Sequence, residues 1–266
     1  MNRIKRLATE SPIIFGLGVT FISIILVIIS SVLGAVWPGE PYGQYIGGTI
    51  GRLASIAILL AALARLGWLR QAGVTRPGRG PTWLISLLLL AYVIAASTYA
   101  MRGNFDFSFS DPALLSLVTL FLLIHAFLEE VVFRGLVMVA FVRVWGSTTP
   151  GLVKSVLVSS LVFAGMHIVN VLSGNPLPIV LLQSVGAFFL GILFAALVLS
   201  GKSIYPATFL HGLANLAGYL LLSANPSAGT APSAWLLQST LMFPLAILGI
   251  YILRGISPRP VVPDVA

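Results

Sequence analysis

Glu129 and Glu130 are neighbours in an otherwise apolar run, LLSLVTLFLLIHAFLEEVVFRGLVMVAFV, and Arg134 follows one helical turn later. A charged side chain near the middle of a membrane helix costs about 2.5 to 3.5 kcal/mol on insertion scales. Such groups persist where pairing, protonation or water offsets that cost and where chemistry requires them. The chain holds seven acidic residues and three histidines, and His125, His167 and His211 all fall inside apolar stretches. On a helix of about 3.6 residues per turn, residues four apart share a face. That spacing pairs Glu130 with Arg134, His125 with Glu129, Phe163 with His167, and His211 with Asn215. Polar groups on three separate segments are then expected to converge on one buried, wet cavity, the simplest arrangement that satisfies them all.

The residue types suit hydrolysis. Glu130 and Arg134, acid first at i, i+4, form the expected intrahelical ion pair. Glu129, about 100° around the helix, is free to point elsewhere and to act as a general base on water. His167 is suited to share that water or to return a proton to a leaving amine. His211 and Asn215, two donors on one face, are suited to hold a developing oxyanion. Each residue also has a plain structural reading. Glu130 with Arg134 serves as a buried pair that fixes helix contacts, His167 and His211 as satisfied core histidines, Asn215 as an interhelical hydrogen-bond residue, and Phe163 as a packing side chain. His125 touches Glu129 only if the segment is a regular helix, and Gly135 most simply permits close helix approach.

The elements that must position these groups are membrane helices. The chain of 266 residues is 58% hydrophobic and only 8% charged, with a mean hydropathy of +1.03, which excludes an ordinary soluble domain. Apolar stretches able to cross a bilayer fall at about 11–36, 47–69, 83–101, 113–143, 152–172, 178–200, 204–223 and 234–254. The expected fold class is therefore all-α, a polytopic membrane protein of about eight transmembrane helices with the catalytic cavity inside the bundle.

Cytoplasmic loops collect Lys and Arg. With both termini cytoplasmic, the inside segments hold Arg3, Lys5, Arg6, Arg65, Arg70, Arg76, Arg79, Arg143, Lys154, Lys202, Arg254 and Arg259, whereas the outside holds Arg52 and Arg102 beside Glu40, Asp106 and Asp111. The net charge of +8 then reads as membrane topology, and no basic face is left for nucleic acid. The first apolar run is too long for a signal-peptide core and reads as a retained span. Zero cysteines exclude disulfides, thiolate catalysis and Cys-ligated metals. RQAGVTRPGRGPT reads as a basic, flexible cytoplasmic loop and SANPSAGTAPSA as a linker. Residues 1–256 are expected to form a single transmembrane helical domain and 257–266 a proline-rich disordered tail.

The strings EEVVFR (129–134), FAGMH (163–167) and HGLAN (211–215) resemble the EExxxR, FxxxH and HxxxN motifs of the CAAX-protease and bacteriocin-processing (CPBP) family, which includes the type II CAAX prenyl endopeptidases. Order and spacing match over roughly 113–223, each motif on its own apolar span. The resemblance implies an intramembrane endopeptidase acting on membrane-associated protein or peptide tails, prenylated or not, in a bacterial plasma membrane. Glu129, His167, His211 and Asn215 are its implied catalytic residues, with Glu130 and Arg134 in support. It leaves open whether a divalent metal such as zinc takes part: Glu129, His167 and His211 are ligands of suitable type, yet HExxH is absent, as are the serine GxSG and aspartyl GxGD motifs. A non-catalytic scaffold or bacteriocin-immunity protein is the alternative, and a proton-coupled transporter a more distant one.

Overall fold

A computed structural model describes residues 3–102 and 111–258. The stretch 103–110, with Asp106, and positions 259–266, with Arg259 and most of the expected tail, lie outside the described residues. Among the described residues, eleven α-helices run in chain order: α1 (Arg3–Glu10), α2 (Pro12–Val36), α3 (Tyr42–Leu66), α4 (Gly80–Met101), α5 (Pro112–Glu130), α6 (Met138–Trp145), α7 (Thr149–Met166), α8 (Leu177–Gly201), α9 (Tyr205–Ala224), α10 (Pro226–Gly229) and α11 (Pro232–Arg254). A π-helical segment, Val131–Val137, joins α5 to α6, and a 3₁₀ segment, His167–Ser173, extends α7. The structure is 85% helical without strands among the described residues.

Among the described residues, eight helical stretches are long and apolar enough to cross a membrane: α2, α3, α4, α5 through α6, α7 with its 3₁₀ extension, α8, α9 and α11. All eight fall where the hydropathy of the sequence places them. Every one except α3 opens with a proline in its first two positions, where the missing N–H would have had no intrahelical partner anyway. Asp111 and Thr148 cap α5 and α7 by accepting from the backbone N–H groups of Leu114 and Gly151. Phe21 and Leu88, each 64% exposed, belong to a long series of bare large apolar side chains. That outer surface is tolerated in lipid and would drive aggregation in water.

Small residues set how closely the helices approach. A Cβ at Gly47 would stand 2.7 Å from the Leu33 carbonyl oxygen, and one at Gly51 would stand 2.7 Å from Ser30 Cα. Backbone contact of this kind is what holds helices together when lipid is as apolar as leucine, and it joins α3 to α2. Around the bundle centre, α5 packs on α9 and α3, α8 on α11 and α7, and α4 on α9 and α11. Gly212 brings α9 against α5, since a Cβ there would meet Leu123 Cδ2 at 2.7 Å.

Two expectations change. The basic loop after α3 is anchored at its backbone: Arg76 and Val74 carbonyls accept from the Ser203 and Tyr205 hydroxyls at 2.7 and 2.8 Å, and Gly73 accepts from the Ile204 N–H at 3.2 Å. Trp68 and Ala72 are buried beside it, so composition overstated its freedom. Short helices α1 and α10 were also unannounced by the hydropathy profile, which registers spans and not single turns.

Candidate active site

The acidic pair stands where one helical type gives way to another. α5 runs regularly to Glu130, and the next seven residues form the π segment, in which the Met138 N–H reaches back five residues to Phe133 O. Such wider turns in an α-helix occur disproportionately at functional sites. Glu129 and Glu130 are both buried, yet they face different neighbours. Glu129 lines a cavity of about 410 Å³, whereas Glu130, fully buried, is not part of its wall.

Glu130 meets Arg134 as the i, i+4 spacing predicts. Arg134 Nη1 lies 3.0 Å from Glu130 Oε1, an ion contact without hydrogen-bond alignment. Its Nη2 donates to the Gly191 carbonyl at 3.3 Å, and the guanidinium sits over the Phe163 ring, 4.4 Å from its centroid. The cation is thereby shared by α7 and α8 as well as by its own helix, as expected of a group that fixes helix contacts.

His211, brought in by α9, bridges the two acids. Its Nδ1 is 2.9 Å from Glu130 Oε1 and its Nε2 is 3.4 Å from Glu129 Oε2. A carboxylate only accepts, so the Nδ1 bond requires a proton on that nitrogen. Phe194 stacks on the imidazole at 5.0 Å and Phe163 meets it edge-on at 5.8 Å, which fixes the ring plane. His167 opens the 3₁₀ segment; its Nδ1 is 3.1 Å from the Phe163 carbonyl, and Phe163 also contacts it edge-on. This leaves His167 Nε2 as the ring nitrogen available for the cavity, which His167 lines together with Glu129, His211 and Asn215. The three motif-bearing segments therefore meet at one cavity.

Two residues join them that the motifs do not include. His125 Nε2 lies 3.3 Å from Glu129 Oε1, and His125 Nδ1 accepts from Arg52 Nε at 3.1 Å. The sequence reading placed Arg52 among the outside charges; it lies instead within α3, 5% exposed, with Nη1 on the Gly48 carbonyl and its guanidinium 4.3 Å from the Phe121 ring centroid. The usable signal was an arginine following closely spaced glycines inside an apolar stretch, a combination with no reason to occur in a loop.

The remaining cavity wall is largely uncharged. Ile24, Val27 and Ile28 of α2 and Met242 of α11 supply apolar surface, while Asn170 and Gln183, hydrogen-bonded to each other at 2.9 Å, supply carboxamides. For a metal the donors are poorly disposed. Both ring nitrogens of His211 face carboxylates, His125 Nδ1 is occupied by Arg52, and among the described residues no group of three His, Asp or Glu side chains is arranged to hold an ion. The residues present thus do not fit a zinc centre, and no step below passes through one.

Comparison with known proteins agrees with the motifs. Residues 111–217 match the family model described as "Rce1-like: Type II CAAX prenyl endopeptidase Rce1-like", close to the 113–223 core read from the sequence. No curated protein and no solved structure matches the chain. All the motif residues, Glu129 to Asn215, fall within that match, so over this segment the chain is similar to the Rce1-like, type II CAAX prenyl endopeptidase family.

Proposed function

We propose that this protein is a glutamate-dependent intramembrane endopeptidase that hydrolyses peptide bonds of membrane-associated protein or peptide tails. The observation that carries the reading is the meeting of Glu129, His167, His211 and Asn215 on one cavity inside a bundle of membrane-length helices. Glu129 takes a proton from a water held between it and His167, and the resulting hydroxide attacks the scissile carbonyl carbon. The oxyanion forms beside His211 and Asn215. Asn215, whose side chain has no hydrogen bond to any described residue, offers its carboxamide N–H, and His211 offers Nε2–H in the form protonated on both ring nitrogens, its Nδ1–H remaining on Glu130. Collapse of the tetrahedral intermediate breaks the C–N bond, and the proton gained by Glu129 passes to the leaving amine, with His167 as the second carrier. Glu130 and Arg134 take no proton; they hold His211 Nδ1 and the helix face in place.

The substrate segment is uncharged. The wall offers apolar side chains and carboxamides, and among the described lining residues there is no lysine or arginine to receive an anionic side chain. The chain works in a bacterial plasma membrane with both termini in the cytosol, and prenylation of the substrate is a separate variable of the test. Quenched-fluorescent peptides ending in a CaaX tail, with and without farnesylation of the cysteine, are incubated with purified protein in micelles. Cleavage by the wild type, its loss by about 100-fold or more in Glu129→Gln, and indifference to phenanthroline are expected. Cleavage by Glu129→Gln at the wild-type rate, or its abolition by the chelator, overturns the glutamate assignment.

A further inference from the structure

Behind Glu129 stands a chain of two side chains, neither in a family motif. We infer that Arg52 and His125 form a positioning relay that sets the orientation of the Glu129 carboxylate; this rests on the hydrolytic reading of Glu129.

The chemistry follows from donors and acceptors. The Arg52 guanidinium has only donors, so at the 3.1 Å contact its Nε–H donates and His125 Nδ1 accepts. Nδ1 therefore carries no proton, and the ring proton stands on Nε2, which faces Glu129 Oε1 at 3.3 Å. Arg52 thus selects the tautomer that presents an N–H to Glu129, at contact distance and without hydrogen-bond alignment. Without that selection, an Nδ1–H tautomer would turn a bare Nε2 lone pair toward the carboxylate. The same logic operates where a carboxylate fixes the imidazole tautomer beside a nucleophile or metal, with the polarity reversed: here a cation fixes an imidazole that fixes a carboxylate.

The relay is built and not incidental. Arg52 is itself pinned, with Nη1 on the Gly48 carbonyl and the guanidinium over Phe121. Gly48 keeps that space open, since a Cβ there would stand 2.8 Å from Phe121 and 3.2 Å from Arg52 Nη1. Phe121 in turn stacks on His125 at an interplanar angle of 13°. Glu129 then has one oxygen 3.3 Å from His125 and the other 3.4 Å from His211, so its carboxylate is flanked on two sides. That placement matters, because displacement of a catalytic group by about 1 Å costs up to about 100-fold in rate.

Four variants and two readouts test this. Against the CaaX peptides above, His125→Phe keeps the ring stack but removes both nitrogens, and Arg52→Met removes the donor at similar volume. Each is expected to lower kcat by about 10- to 100-fold with KM nearly unchanged. The double variant should be no slower than either single one, as for members of one chain. His125→Gln, whose carboxamide supplies an acceptor for Arg52 and a donor for Glu129, should recover most of the rate, which a loss of mere structure would not permit. With only three histidines, nitrogen-15 NMR of the wild type in micelles reads the tautomer without any cleavage. The expected state of His125 is Nε2–H, lost in Arg52→Met, with Arg52→Leu, which also lacks a donor, as the substitute if that variant does not fold. A His125 found as Nδ1–H, or His125→Phe retaining wild-type kcat while Glu129→Gln loses it, overturns the relay and leaves the hydrolytic reading standing. Activity retained in Glu129→Gln overturns the hydrolytic reading itself.

Discussion

Arg134 reaches three elements with one side chain: Glu130 on its own helix, the Gly191 carbonyl of α8 and the Phe163 ring of α7. Removing it strands a fully buried carboxylate. Truncation to alanine should therefore cost about 3 to 5 kcal/mol, read as a lowered unfolding midpoint and a reduced yield of monodisperse protein. Lysine should not restore stability, because an ammonium reproduces neither the stack nor the fork of donors. An Arg134→Ala protein as stable as the wild type would mean that Glu130 is neutral without it. Much of this residue-scale chemistry is legible along the chain. The pairs Glu130 with Arg134 and His125 with Glu129 follow from i, i+4 spacing, and both contacts are present. The bridge from His211 to both glutamates and the bond from Arg52 to His125 are not legible, because they cross between helices and no periodicity records a contact 81 or 73 residues away.

α5 is the element that carries Glu129, and its start is tied down at Asp111. That carboxylate accepts from the Leu114 N–H at 3.0 Å and from the Tyr42 hydroxyl of α3. The Tyr42 hydrogen bond foremost, with the backbone bond to Leu114, holds the Asp111 carboxyl below its usual value of 3.8. A lowered folded-state value favours the folded protein above the unfolded carboxyl's pKa, and the benefit fades as pH falls through the folded-state value. Asp111→Ala should thus unfold at a lower temperature than the wild type near neutral pH, and the gap between the two should close below pH 3.8. A gap that stayed constant down to strong acid would assign the effect to something other than the ionised cap. At this scale the sequence announced the long helices through hydropathy. It did not announce the π segment, since VVFRGLV has no residue that demands a wider turn, and helical type there is decided by what packs on it.

At the scale of the whole molecule, the proposed topology has each of the eight membrane-length helices among the described residues cross once, with both ends on one side. The absence of native cysteines makes that directly measurable. Single cysteines at Gly78, in the anchored loop before α4, and at Gly39, between α2 and α3, should be labelled from opposite sides in sealed inverted vesicles, with Gly78 on the cytosolic face. Labelling of both from one side would refute the span count, and the reverse pattern would refute the orientation inferred from Lys and Arg. The thinnest part of this architecture is α2. In its most apolar window only 28% of residues are buried, and while Ile24, Val27 and Ile28 look into the cavity, Phe21, Ile22 and Ile29 look out. A partition a single helix thick separates the reacting groups from the surrounding acyl chains. The amphiphile chosen to solubilise this protein is accordingly a reagent in its assay, and rates obtained in one surfactant should not be carried over to another without a bilayer measurement to anchor them.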